Sequence, residues 1–329
     1  MAGFELYAPR LAKHRRTWTF FVILIGLICA ILGPMLALAP YIIHAITEGF
    51  QAGVAHPGVQ PPKPAPPNMT TPILIVAYVI NVALIFLWVV TFERRGLATI
   101  GFNAKGPLRF VRGYLVGCGF LVAVIGLIYA LGGYKVENAG FWMAPTLASI
   151  VPILLYMTMF IIQGSSEEIW MRGWLMQIVA SRHGIIWGLI INSLIFGALH
   201  LGNIKPSPEL WGGAANVALF GVFISLYALK ERSLWGVCGW HAAWNWLLGA
   251  GFGLEVSGMK LKVAPLVVDL MDTPGTPWWI SGGSWGPEAS IITTGVLAAG
   301  IAVLVWKGAL KPSQSYSIPV KEEPPEEAY

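Results

Sequence analysis

Eight long apolar runs, near residues 18–46, 72–92, 110–131, 145–163, 184–201, 212–229, 234–254 and 288–306, constrain this 329-residue chain more than any other feature. Backbone groups cannot go unpaired in hydrocarbon, so runs of this kind are helices. A span needs about 20 residues. The composition agrees: 56% of residues are hydrophobic and only 11% charged, against about 25% charged in soluble proteins. An ordinary soluble enzyme, a disordered chain and a collagen-like chain are all excluded. The expected fold is all-α, a polytopic membrane protein of about eight transmembrane helices.

The net charge of +5 comes from 21 Lys/Arg against 16 Asp/Glu. The basic residues form no single patch, so nucleic acid is not the expected partner; the lipid bilayer is. They lie between the apolar runs, which is how membrane chains encode orientation. With the N-terminus in the cytoplasm, 16 Lys/Arg fall on the cytoplasmic side and 5 outside. This predicts both termini inside. Residues 1–17 then form a basic cytoplasmic segment and 18–131 the N-terminal helices, with a Pro-rich loop at 56–67. Residues 145–306 form the core, and 311–329 an acidic tail without fixed structure. Ala37-Leu38-Ala39 resembles a signal-peptide cleavage site, but Pro40 would follow the cut and the run is too long, so the first run reads as an anchor. Cys29, Cys118 and Cys238 each sit in an apolar run with no metal or redox spacing.

Ionisable groups in a membrane span are costly and are functional candidates by default. Three groups qualify. In Gly164-Ser165-Ser166-Glu167-Glu168-Ile169-Trp170-Met171-Arg172, Ser165 and Glu168 have capping-box spacing, which would start a helix at Ser165. Glu168 and Arg172 have the spacing of a helical ion pair. Glu167 is left without an assigned partner. His200 ends the second group, Phe196-Gly197-Ala198-Leu199-His200. Ser181-Arg182-His183-Gly184 reads as a turn, and Glu167 and His200 are equidistant from it. In an antiparallel hairpin they lie at one height. The third group is His241-Ala242-Ala243-Trp244-Asn245, with His241 and Asn245 on one helix face. Each set has a bland reading as well: a cap, an interior histidine, a helix–helix contact. Together they fit hydrolysis by an activated water. Glu167 would be the general base, His200 would share the water, and His241 and Asn245 would donate to a developing oxyanion.

The ordered triple resembles the CPBP family of intramembrane proteases, which includes the type II CAAX prenyl endopeptidases and the bacteriocin-processing and immunity proteins. The family pattern EExxxR, FxxxH, HxxxN falls on Glu167-Glu168…Arg172, Phe196…His200 and His241…Asn245. Gly282-Gly283-Ser284-Trp285-Gly286-Pro287-Glu288 also looks like a loop of bacterial members. The resemblance covers about 145–300. It implies an intramembrane catalytic cavity between the central helices, catalytic Glu167, His200, His241 and Asn245, supporting Glu168 and Arg172, and no cofactor. It also implies a peptide or membrane-protein substrate, prenylated in the best-known members, and an integral protein of a bacterial or archaeal plasma membrane.

Other readings compete. Glu and His side chains could hold zinc, but there is no HExxH and the groups come from separate helices. Gly282–Gly286 formally fits GxSxG, which needs a strand-to-helix elbow. The same polar cluster could serve a non-catalytic scaffold or immunity protein, or an ion-coupled transporter. One continuous helix over 145–180 would be about 54 Å long, so it must break near Gly164 or project from the bilayer. The charge count predicts a cavity opening on the side of residues 164–184.

Overall fold

The computed structural model describes residues 6–7, 14–55, 70–103, 106–143 and 145–311. The Pro-rich loop, most of the basic N-terminal segment and the tail beyond residue 311 lie outside the described residues. The chain is an all-α membrane fold. Five helical stretches are long and apolar enough to cross a bilayer: Thr19–Glu48, Thr71–Thr91, Gly106–Ala130, Leu147–His183 and Pro208–Glu231. The other three expected spans are shorter. They are α6 (Ile185–Leu199), α8 (Trp235–Trp246) with its π-helical extension Leu247–Gly251, and α10 (Ile291–Trp306).

The first helix, α1 (Thr19–Ala55), packs on α2 (Thr71–Thr91), and α2 packs on α4 (Leu147–Glu168). The centre is α8. Every residue from Gly236 to Asn245 is buried, as expected of a helix apolar on all sides. Glycines let α3 (Gly106–Ala130) approach it closely. A Cβ on Gly113 would stand 1.9 Å from the Gly236 carbonyl oxygen, and one on Gly239 would stand 2.1 Å from that of Phe110. Small residues of this kind are what let membrane helices touch along their backbones. On the other side α6 pairs with α7 (Pro208–Glu231), and α10 packs on α7.

The helix that carries the first polar group does not begin at Ser165. It begins after Thr146, whose side chain and that of Ser149 cap each other's backbone amides. Ser165 lies inside α4 because the helix runs on without interruption. It passes through a π-helical segment, Ile169–Leu175, into α5 (Met176–His183). π-bulges are rare and concentrate at functional sites. This one leaves the Arg172 carbonyl to accept a hydrogen bond from the Tyr7 hydroxyl at 3.1 Å. The turn expected at 181–184 is present, with Gly184 at φ +91° between α5 and α6.

One element was not anticipated. Strands β1 (Tyr134–Ala139) and β2 (Val268–Asp272) pair antiparallel, Tyr134 opposite Asp272. They belong to the connections at the end of the bundle away from Gly184. At the same end, Ser284 sits exposed in a single 3-10 turn. No strand leads into it, so the GxSxG spelling lacks its elbow.

Candidate active site

Glu167 ends the straight part of α4, and His200 caps α6. The two helical stretches that carry them meet at the Gly184 turn, with the π-helical segment Ile169–Leu175 on the Glu167 side. α6 has 15 residues, about 23 Å, short of the roughly 30 Å of bilayer hydrocarbon. In a membrane fold irregular backbone is tolerated where it lines a cavity. It does so here. Glu167, His200, His241 and Asn245 all line one cavity of about 550 Å³, within the usual range for ligand sites.

The hydrogen bonds fix how these groups are presented. Arg172 and Glu168 are completely buried, with Arg172 Nη1 3.1 Å from Glu168 Oε1. The guanidinium also lies over the Phe196 ring, 4.5 Å from its centroid. The Glu168 oxygen that meets Arg172 also lies 2.8 Å from His241 Nδ1. A carboxylate in an ion pair only accepts, so His241 Nδ1 carries the proton. His241 Nε2 then points at Glu167, 3.8 Å from Oε2. In the same way His200 Nδ1 lies 2.8 Å from the Phe196 carbonyl oxygen, so it too carries the hydrogen. In a neutral imidazole of this tautomer, Nε2 is left as an acceptor.

Gln163, one turn before Glu167, was not singled out in the sequence. Its Nε2 donates to Glu167 Oε1, while its Oε1 accepts from Asn245 Nδ2 at 3.1 Å. The amide thus links the first and third polar groups. The sequence signal was a glutamine at i−4 from Glu167 inside an apolar run. Glu167 Oε2 has no hydrogen-bond partner among the described residues and faces the His241 Nε2 side.

Glu288, read only as part of a loop, is also a lining residue. Its Oε1 accepts from Trp244 Nε1 at 3.1 Å, and its Oε2 accepts from the Ser257 backbone amide at 2.5 Å and hydroxyl at 2.8 Å. Ser257 and Gly258, both at positive φ, turn the hairpin Val256–Met259. Asn203 holds its other side, donating to the Ser257 carbonyl at 2.9 Å.

The cavity opens opposite to the expected end. Its lining includes Asn203, Met259 and Lys260, in connections remote from the Gly184 turn, and the last two are exposed. The reason is that the helix runs on past Glu167, through the π-helical segment and α5, before it reaches the Gly184 turn. Trp170 and Trp244 line the cavity as well, while Trp174 and Trp240 are fully buried packing residues. Among the described residues no three His, Cys, Asp or Glu side chains converge as metal ligands.

Residues 149–247 match the family model described as type II CAAX prenyl endopeptidase, Rce1-like. The matched stretch runs from α4 to the end of α8 and contains all seven residues of the three motifs. No curated protein and no solved structure matches the chain.

Proposed function

We propose that this chain, a membrane protein of the CAAX/CPBP-like protease family, is an intramembrane endopeptidase that hydrolyses a peptide bond with a water held between Glu167 and His241. The observation that carries the reading is the 3.8 Å gap between Glu167 Oε2 and His241 Nε2. That gap is too long for a hydrogen bond. It suits a water about 2.8 Å from each atom, donating one hydrogen to the carboxylate and one to the imidazole. Glu167 takes the proton as the water oxygen adds to the scissile carbonyl carbon. The proton then goes to the leaving amine as the C–N bond breaks, so the products are a carboxylate and an amine.

Supporting groups have distinct tasks. Gln163 orients Glu167, and the Glu168–Arg172 pair fixes the His241 tautomer. His200, tied through Nδ1, offers Nε2 to the same cavity as a second proton carrier. Asn245 keeps one N–H beyond the one given to Gln163, and that hydrogen is available for the oxyanion. With His241 Nδ1 committed to Glu168, the neutral imidazole orients water better than it stabilises an oxyanion. None of these roles calls for a metal. A prenyl chain on the substrate is compatible with the largely apolar cavity walls on α1 and α2.

The test compares wild type with Glu167→Gln and His200→Ala, each shown to be folded in detergent. A farnesylated CAAX peptide and a membrane-proteome peptide library serve as substrates. Cleavage by wild type, lost by about 10²–10⁴-fold in the variants and insensitive to a strong chelator, is the expected result. No cleavage by wild type, with both variants melting several degrees lower, would instead favour a scaffold or transporter.

A further inference from the structure

Among the motif residues, few hydrogen-bond donors are left for an oxyanion. Both imidazoles spend their N–H on fixed partners, Glu168 Oε1 and the Phe196 carbonyl. Asn245 spends one of its two on Gln163. A tetrahedral intermediate is stabilised by donors placed around its oxyanion, commonly two. The wall facing Glu167 supplies what is missing, and it lies outside the stretch 149–247 that carries the family match. On α2, Leu74, Ala77, Tyr78 and Asn81 follow the i, i+3, i+4, i+7 spacing of one helix face, and all four line the cavity. Tyr78 and Glu167 line the same cavity from facing helices that pack on each other. Asn81 is only 8% exposed, yet its Oδ1 has no hydrogen-bond partner among the described residues. A buried acceptor kept without a partner calls for an explanation, and a ligand is one.

We propose that α2 is the substrate-facing wall of the site: the Tyr78 hydroxyl donates to the oxyanion, beside the second Asn245 N–H, and Asn81 Oδ1 accepts a backbone N–H of the bound peptide. The inference rests on the protease reading and extends it to residues outside the three motifs. The peptide lies extended between α2 and α4, with its scissile carbonyl carbon towards the Glu167 water and its carbonyl oxygen towards Tyr78. The Tyr78 proton is not transferred. Its hydrogen bond strengthens as charge develops on the carbonyl oxygen and weakens again when the C–N bond breaks.

Two measurements on the full chain in detergent test this, with a fluorogenic farnesylated CAAX peptide as the probe. Tyr78→Phe is expected to lower kcat by about 100-fold, with KM within threefold of wild type. A kcat within threefold of wild type overturns the role of Tyr78. If Tyr78→Phe does not fold, difluorotyrosine at position 78 preserves shape while acidifying the phenol. It should move the alkaline limb of the kcat profile to lower pH, and an unmoved limb overturns the proposal. For Asn81, peptide affinity is read by anisotropy in a Glu167→Gln background, where turnover plays no part. Asn81→Leu should weaken binding about tenfold, and unchanged binding overturns the assignment, leaving Asn81 to a structural water. Should Glu167→Gln cleave as fast as wild type, the protease mechanism fails by itself, and anisotropy with a peptide whose scissile amide is replaced by a non-cleavable bond decides whether α2 binds peptide.

Discussion

His241 Nδ1 and Arg172 Nη1 meet the same oxygen of Glu168, at 2.8 Å and 3.1 Å. One buried carboxylate oxygen therefore does two things. It neutralises a guanidinium with no access to water, and it fixes the imidazole so that Nε2 is turned to Glu167. Helix α8 is thereby registered against the π-helical turn of α4 by a charged contact, while the surrounding contacts are apolar and less directional.

Glu168→Gln should therefore be costly in two separable ways. It leaves the Arg172 charge buried and uncompensated, which typically costs about 3–5 kcal/mol. It also frees the imidazole to change tautomer, so kcat should fall even at temperatures where the variant remains folded. Thermal unfolding in detergent, together with kcat measured well below the transition, separates the effects. A variant with wild-type melting and wild-type kcat would contradict the shared-oxygen arrangement.

Gln163→Leu has a narrower expected outcome. The side chain touches Glu167 and Asn245 and fills a similar volume, so the fold should hold to within about 1 kcal/mol. The Glu167 carboxylate loses the donor on Oε1 and Asn245 loses its acceptor. A fall in kcat of about 10–100-fold, with little change in KM, is expected of a positioning residue. A loss confined to KM would place Gln163 in substrate binding instead.

These two residues also mark what could be read from the sequence. The three charged groups and the turn at Gly184 were legible because spacing alone determines them. An i, i+4 pair, an i, i+4 His–Asn face and two positions equidistant from a turn need no tertiary knowledge. The His241–Glu168 contact was not legible, since it joins helices 73 residues apart and the Arg172 pair already accounted for Glu168. Gln163 and Asn81 look like ordinary polar residues in apolar runs until a cavity wall is seen. The capping box at Ser165 was misread for a different reason. Ser-x-x-Glu marks a helix start only where the preceding residues are not helical, and here α4 had already begun at Leu147. The end at which the cavity opens depended on how far α4 continues past Glu167, which the apolar pattern does not encode.

The α3–α8 contact provides a test of the fold that is independent of catalysis. A Cβ at Gly239 would lie 2.1 Å from the Phe110 carbonyl oxygen, and backbone cannot yield as a flexible side chain can. Gly239→Leu should separate the two helices and destabilise the protein by about 1–3 kcal/mol or more. Gly126→Leu, on the same α3 where an added Cβ meets nothing within 4 Å, should be nearly neutral. Melting temperatures of the two variants in one detergent make the comparison, and equal losses would contradict the glycine seam.

The position of the cavity mouth gives the last prediction. The exposed lining residues Met259 and Lys260 follow α8, at the end remote from Gly184. The excess of Lys/Arg predicts the Gly184 turn in the cytoplasm, and in that orientation the mouth would lie on the outer face. Single cysteines at Lys260 and Arg182, in a background with Cys29, Cys118 and Cys238 replaced by serine, distinguish the two faces. In intact cells a membrane-impermeant maleimide should label Lys260→Cys, and should label Arg182→Cys only after the cells are opened. The reverse pattern would invert the chain in the membrane and give the cavity to cytoplasmic substrates. Such a result would leave the geometry around Glu167 unchanged and alter only which peptides can reach it.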